Sequence, residues 1–410
     1  MRVAVQFAAE HMELEVADDR LIRLSGETVR LPVADLAAGV AAAIEAPLDF
    51  PPLRQAVVPG DHVAIVLDDG IPHAGEVLGP LIECLIGADV QPGDIQIVQV
   101  PPSGTTRNGL TPDGLPLGVR FVQHDPQDRN RLSYLASTQS GVRVYLNREV
   151  VDADLVVLVG RVDYHPILGY RGTGSSVYPG LADDEAARRF RTQIGKPISQ
   201  RSRAAARRET DEVSWLLGIQ FAVQLLMGPG NAVVQVLAGR CDQVQRKGQE
   251  LVDTVWSRSV ARRADMVIAG ISGEAEYQGF EELGTVLAAA CRVVREGGQV
   301  IVLSAIDTAP GPALRSVQGF EEPARVLEHV VRHPAVDAIS TWQIARAVQH
   351  ARVYLLSRLD DDLVEDLFMT PLADEREVQR LLSQAASCLF LNDAQLTHAT
   401  VEGKDEEPAV

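Results

Sequence analysis

Short apolar runs alternate along the chain with longer stretches in which apolar residues recur every three or four positions. The runs at 94–100, 154–160, 264–270, 299–305, 353–357 and 388–391 predict buried strands, and another inside 60–70 ends on Asp68, Asp69 and Gly70. Between them, Val77, Leu78, Leu81, Ile82 and Leu85 mark one face of a helix over 76–87. Comparable spacing predicts helices over 34–45, 242–257, 283–294, 323–331, 341–350 and 375–385, the 283–294 helix being closed by Glu296-Gly297-Gly298. Shorter extended segments are expected at 12–16, 21–23, 27–31, 119–123 and 142–146, and a turn at 228–231 separates two apolar segments, 216–227 and 233–237. This alternation predicts an α/β fold: two domains, each with a mainly parallel sheet flanked by helices, and a crevice between them. The expected limits are 1–258 and 259–392, followed by a partly disordered tail at 393–410 with an acidic end.

In open α/β sheets, ligands collect at the carboxyl ends of the strands. Three such ends carry polar loops: Asp68-Asp69, Gly104-Thr105-Thr106-Arg107, and the stretch from His165 to Ser176. The last is the richest, with Arg171, Gly172, Gly174, Ser175 and Ser176 close behind the histidine. Glycine allows close approach of backbone to ligand, and successive free amides form a concavity that suits an anion. His165 is the candidate catalytic residue, because an imidazole titrates near working pH. The competing reading makes it a strand-end histidine that satisfies backbone groups. The aspartates read equally well as a turn pair, and Gly104 to Arg107 as a plain turn. His124-Asp125 is a further strand end with a simpler structural reading. Ser175 has no base placed beside it by sequence, which argues against a nucleophile.

The net charge of −18 disfavours nucleic acid and anionic membrane as partners. No apolar run reaches the roughly 20 residues of a membrane helix, and the first residues lack a secretory apolar core, so a cytoplasmic protein is expected. The four cysteines are scattered without metal spacing, so reduced thiols and no metal motif are expected. Against the acidic whole, Arg188, Arg189, Arg191, Lys196, Arg201, Arg203, Arg207 and Arg208 form a basic stretch. It reads either as solvated helix faces or as the source of one or two cations that hold an anion. The expected partner is a small-molecule carboxylate or phosphate; homo-oligomerisation stays open.

The stretches 41–53, 59–69, 150–170, 179–180, 264–270 and 295–303 together resemble the nickel-dependent lactate racemase family over roughly residues 30–395. The resemblance implies a 2-hydroxy acid substrate and a nickel pincer nucleotide, tethered to a lysine, with a histidine on the metal and two histidines handling the hydroxyl proton. Residue by residue, the chain departs from this. His165 keeps the central histidine, but Ser175 stands at the tethering lysine and Arg191 at the nickel-binding histidine. Asp68-Asp69-Gly70-Ile71-Pro72 lacks the threonine and arginine of the family's Asp-x-Thr-Arg-Pro element. Gly104-Thr105-Thr106-Arg107 has a threonine at the second histidine, and a second-domain lysine falls near Thr285. Trp342-Gln343 keeps the family's aromatic helix start. A serine hydroxyl forms no thioamide tether, and a guanidinium offers no lone pair to nickel. The expectation is therefore a lactate racemase-like protein that binds a 2-hydroxy acid or phosphorylated small molecule without the family's cofactor in its known mode. Two alternatives stay open: an active racemase or epimerase holding the cofactor non-covalently, and a non-catalytic partner of an active paralogue.

Overall fold

The computed structural model describes residues 1–7, 10–26, 30–102, 114–196 and 199–403. Two α/β units result. In the first, the sheet runs in the order Val233–Arg240, Phe221–Met227, Leu155–His165, Val63–Leu67, Ile95–Gln99 and Arg120–Gln123. All neighbours are parallel except the outermost pair, Val233–Arg240 with Phe221–Met227. The apolar runs are continuous because both sheet faces are covered. Ile65, Leu67, Val157 and Val159 face the helices Leu36–Glu45 and Ala74–Gly87, while Ala64, Val66, Val156 and Leu158 face the helix Cys241–Trp256.

The second unit orders its strands Thr370–Leu372, Arg352–Leu356, Val294–Leu303, Ala264–Gly270 and Cys388–Leu391, all parallel. Helices Phe280–Val293 and Ala338–His350 fill one face. The helix Phe280–Val293 passes straight into the strand Val294–Leu303, so the glycine pair lies inside the strand instead of closing the helix.

Three expectations are corrected. The first residues were assigned to the N-terminal unit. They instead form a hairpin, Arg2–Phe7 with Glu10–Glu15, whose Val5, Met12 and Leu14 pack on Met266, Ile268 and Ile301 of the second sheet. The tail was placed from residue 393, yet His398–Val401 pairs in parallel with Ser257–Val260, across the expected boundary; residues 404–410 lie outside the described residues. The segment expected as a strand at 21–23 makes only an isolated bridge from Leu21 to Cys388. Most of the 27–31 segment lies outside the described residues.

Candidate functional site

The strand Leu155–His165 runs five residues beyond the expected end and carries Arg161, Asp163 and His165 out of the sheet. It lies beside Val63–Leu67, in register Leu67 to Val159, so Asp68 and Asp69 emerge next to Gly160 and Arg161. The short strand Gly169–Arg171 folds back antiparallel on it, opposing Arg171 to Asp163. Parallel packing thus gathers at one sheet end what the sequence separates by about a hundred positions. There the chain encloses a cavity of about 370 Å³ whose walls include Asp68, Asp69, His165, Arg171, Ser175 and Arg191. Leu168, Phe190, Val336 and Ile339 line it as well, so both units contribute and part of the wall is apolar.

His165 presents one nitrogen inward and one to its own turn. Nδ1 accepts the backbone N–H of Ile167 at 3.2 Å and of Leu168 at 3.1 Å. Two donors on Nδ1 assign the proton to Nε2. Burial, then the Arg171 charge, holds the imidazole down to about 3. His165 is accordingly a neutral hydrogen-bond donor. Its only basic nitrogen is occupied by backbone, which excludes the general-base role in this arrangement.

Arg171 does not stand ready for an anion. Its Nη2 donates to Glu281 Oε1 at 2.7 Å and its Nε lies 3.6 Å from Asp163 Oδ1. Arg161 joins the same carboxylates, 2.9 Å from Asp163 and 3.8 Å from Glu281. Burial opposes the Arg171 charge, but Asp163, Glu281, Asp68 and Asp69 outweigh it and keep the guanidinium ionised. Because Glu281 belongs to the second unit, this buried network also joins the two units across the crevice. Desolvation raises the neighbouring Glu282 carboxyl, with Glu281 adding to the effect. Asp68 is pushed up to about 6, chiefly by burial, against the pull of Arg171 and Arg161. Its Oδ1 accepts the Asp69 N–H at 3.0 Å. Its Oδ2 and the Ser176 hydroxyl are buried without hydrogen-bond partners among the described residues. Both lie beside Gly160, where a Cβ would sit 3.4 Å from Asp68 Oδ2 and 3.6 Å from Ser176 Oγ. Such orphaned polar atoms mark a place for a water or a ligand hydroxyl.

The expected anion cradle of Gly172 to Ser176 takes another form. Residues Thr173–Val177 are a short helix. Ser175 Oγ donates to the Gly172 carbonyl at 2.7 Å and receives the Gly172 N–H at 3.3 Å, so the hydroxyl closes its own turn. The glycines serve packing: a Cβ on Gly172 would lie 1.8 Å from Gln245 Oε1, and one on Gly174 2.9 Å from Ser214 Oγ. Ser176 is buried beneath the cavity, not in its wall.

The basic stretch divides. Arg188 pairs with Asp184, Arg189 binds Tyr178 and Glu209, and Arg207 makes a close contact with the Tyr170 carbonyl. Lys196, Arg201 and Arg208 are exposed. Arg191, half-buried, enters the cavity, and Arg203 enters a smaller cleft nearby. Arg191 Nε donates to the Pro334 carbonyl of the second unit at 3.1 Å. No carboxylate forms an ion pair with Arg191 among the described residues, and burial lowers its pKa.

Trp342 does not line these cavities. It packs between Ile167, Leu168 and Phe190 of the first unit and Val326 and Val330 of the second, which makes it part of the seam. Gln343 is buried and faces the smaller clefts together with Thr285. His124 is structural: its Nε2 bonds the Ala182 carbonyl at 3.0 Å and Asn147 bonds its Nδ1 at 3.2 Å. Asp125 reaches the cavity wall. Gly104, Thr105, Thr106 and Arg107 lie outside the described residues. Sequence reasoning missed Arg161, Asp163, Glu281 and Glu282. A signal was present for the first two, since Arg161, Asp163 and His165 alternate as residues on one face of an extended strand must.

Residues 7–196 match the lactate racemase N-terminal domain. A lactate racemase of Thermoanaerobacterium thermosaccharolyticum is 22% identical over 289 residues, 68% of this chain and 67% of that protein. A lactate racemase of Lactiplantibacillus plantarum is 21% identical over 293 residues, with the same shares. Among solved structures, the lactate racemase apoprotein from T. thermosaccharolyticum superposes with a TM-score of 0.76 at 17% identity, covering 97% of this chain and all of that one (100%). A Thermotoga maritima protein superposes with a TM-score of 0.66 at 14% identity, over 92% of this chain and 100% of that one.

Proposed function

We propose that this chain, which belongs to the lactate racemase-like family through its domain at residues 7–196, binds a 2-hydroxy acid or a phosphorylated small molecule in its crevice and does so without the family's nickel pincer nucleotide. The observation that carries this reading is Arg191: a half-buried guanidinium in the wall of a cavity of about 370 Å³, with its Nε fixed on a carbonyl and no carboxylate paired to it. A cation desolvated without an ion-pair partner is costly unless a ligand supplies the negative charge. In the bound state, the ligand carboxylate or phosphate meets Arg191, its hydroxyl donates to Asp68 Oδ2, and the His165 Nε2–H donates to a ligand oxygen. Asp68, whose pKa stands at about 6, is then the group able to take up or release a proton near neutral pH. The apolar side chains Leu168, Phe190 and Ile339 give room for a substituent larger than the methyl of lactate.

The residues do not fit the family cofactor in its tethered, histidine-ligated form. The Ser175 hydroxyl is spent on its own turn, Arg191 offers nickel no lone pair, and the free nitrogen of His165 carries a hydrogen. Among the described residues, no group of three or more His, Cys, Asp or Glu is arranged to hold a metal. The second reading, an active racemase or epimerase with the cofactor held non-covalently, draws on the cavity volume, which leaves space beside a three-carbon acid. Absorbance of protein co-expressed with the cofactor-making enzymes separates the two, because only the second reading gives a bound chromophore. Binding without turnover would mark a non-catalytic member.

The test is calorimetric titration with lactate, glycerate, malate, mandelate and 3-phosphoglycerate, against the parent chain and Arg191→Gln. At least one acid should bind the parent, and the variant should bind it at least about tenfold more weakly. Equal affinity in both proteins would remove Arg191 from the account, and no binding by any of them would remove the ligand class.

A further inference from the structure

His165 lines a second space as well, a cleft of about 60 Å³. That volume is several times the roughly 10–15 Å³ a single water requires, and it is far smaller than the main cavity. Arg203 and Arg292 line it together with His398, Gln343, Thr285 and Thr397, and no Asp or Glu lines it among the described residues. The surroundings of His398 report the sign of the local field. Its ring stacks on Tyr164, centroids 4.5 Å apart, and Arg292 makes a close contact with its Nε2. Burial, then the Arg292 and Arg203 charges, holds its pKa down to about 3, so the imidazole adds no charge of its own.

The donors can be sorted. Thr285 Oγ1 already donates to the Glu281 carbonyl at 3.0 Å, and Thr397 Oγ1 to the Asp393 carbonyl at 3.1 Å, so both hydroxyls are left as acceptors. What faces the cleft as donor is two guanidinium groups, the Gln343 amide and the His165 Nε2–H. Two fixed cations and two neutral donors around a space of this size suit a tetrahedral oxyanion. We propose that this cleft is a phosphate subsite, formed by Arg203 of the first unit and Arg292 of the second, and separate from the Arg191 wall. It also gives a role to Arg203, the other member of the basic stretch that enters a cavity.

The experiment is thermal melting of the full chain across a range of inorganic phosphate concentrations. Phosphate should raise the melting temperature of the parent and of Arg191→Gln alike, because a ligand of the folded state stabilises it by mass action. Arg203→Gln should weaken the apparent affinity at least about tenfold, and Arg292→Gln similarly. Since Arg292 also supports His398, Arg203→Lys is the control that keeps the charge and should retain most of the shift. Titration with 3-phosphoglycerate identifies the source of the phosphate. If the cleft holds the phosphoryl end of the main cavity's ligand, this compound binds more tightly than phosphate and is weakened by both Arg191→Gln and Arg203→Gln. If the cleft takes free phosphate, it binds no more tightly, and only Arg203→Gln matters. A parent chain that phosphate leaves unshifted, or an equal shift in parent, Arg203→Gln and Arg292→Gln, overturns the subsite. Neither result touches the reading of Arg191.

Discussion

Arg171 and Arg191 stand in the wall of the same cavity, yet they sit in opposite kinds of surroundings. Around Arg171, the carboxylates of Asp163 and Glu281 consume the charge, and the result is a buried weld between the two units. Around Arg191, the protein supplies a carbonyl and hydrophobic neighbours but no counter-charge. The difference shows that a cation in a crevice is informative about ligands only once its partners are known. One arginine belongs to the architecture and the other is left for chemistry from outside.

The comparison can be broken most sharply at Arg171. Arg171→Gln leaves Asp163 and Glu281 buried with reduced compensation, and breaking a buried pair costs about 3–5 kcal/mol. The urea midpoint should fall well below that of the parent. Arg191→Gln removes a desolvated charge instead, so its midpoint should hold within about 0.5 kcal/mol while ligand affinity collapses. Equal losses of stability in the two variants would erase the distinction.

A second, smaller effect concerns Asp68. Its folded pKa of about 6 lies above the 3.8 of an ordinary aspartate, so the folded chain binds the proton more tightly than the unfolded one. Its ionisation therefore penalises the fold fully above about pH 6, and the penalty is relieved as pH falls from 6 towards 4. Asp68→Asn should be more stable than the parent at pH 7, by about 1–3 kcal/mol, with the gap closing by pH 4. A gap that widens on acidification would show that the carboxylate is held by its arginines and not opposed by burial.

His165 carries the opposite sign. Its folded pKa of about 3 lies below the ordinary 6.5, so its contribution is complete above 6.5 and drains away as pH falls towards 3. Nitrogen-15 NMR should find the ring neutral at pH 5 with its hydrogen on Nε2. A ring that titrates near 6.5 would return it to the role of base. The smallest expected effect is at Gly160, where an added Cβ meets only ordinary contacts. Gly160→Ala should cost little stability, yet it fills the space between Asp68 Oδ2 and Ser176 Oγ, and ligand affinity should fall by a few fold if a hydroxyl or water sits there.

Much of this was legible before any coordinates. Continuous apolar runs such as Val63–Leu67 could only be strands covered on both faces, and parallel strands place Asp68 beside the end of Leu155–His165. The hairpin Arg2–Phe7 was not legible as part of the second unit, because its pairing depends on contacts such as Gln6 with Asp393, nearly the whole chain away. Nor could the glycines of the central stretch be sorted. A glycine that lets a ligand approach and one that yields to Gln245 look the same in one dimension. The fates of Arg171 and Arg191 were hidden for the same reason: Glu281 lies 110 positions from Arg171, and charge pairing over that span leaves no local pattern.

The central claim is that the crevice is built for a bound anion and not for a tethered metal nucleotide. The most direct measurement is intact-protein mass together with metal content, after co-expression with the enzymes that make the pincer nucleotide. The account predicts the unmodified chain mass and nickel at background. A covalent adduct, or one nickel per chain that survives desalting, would contradict it.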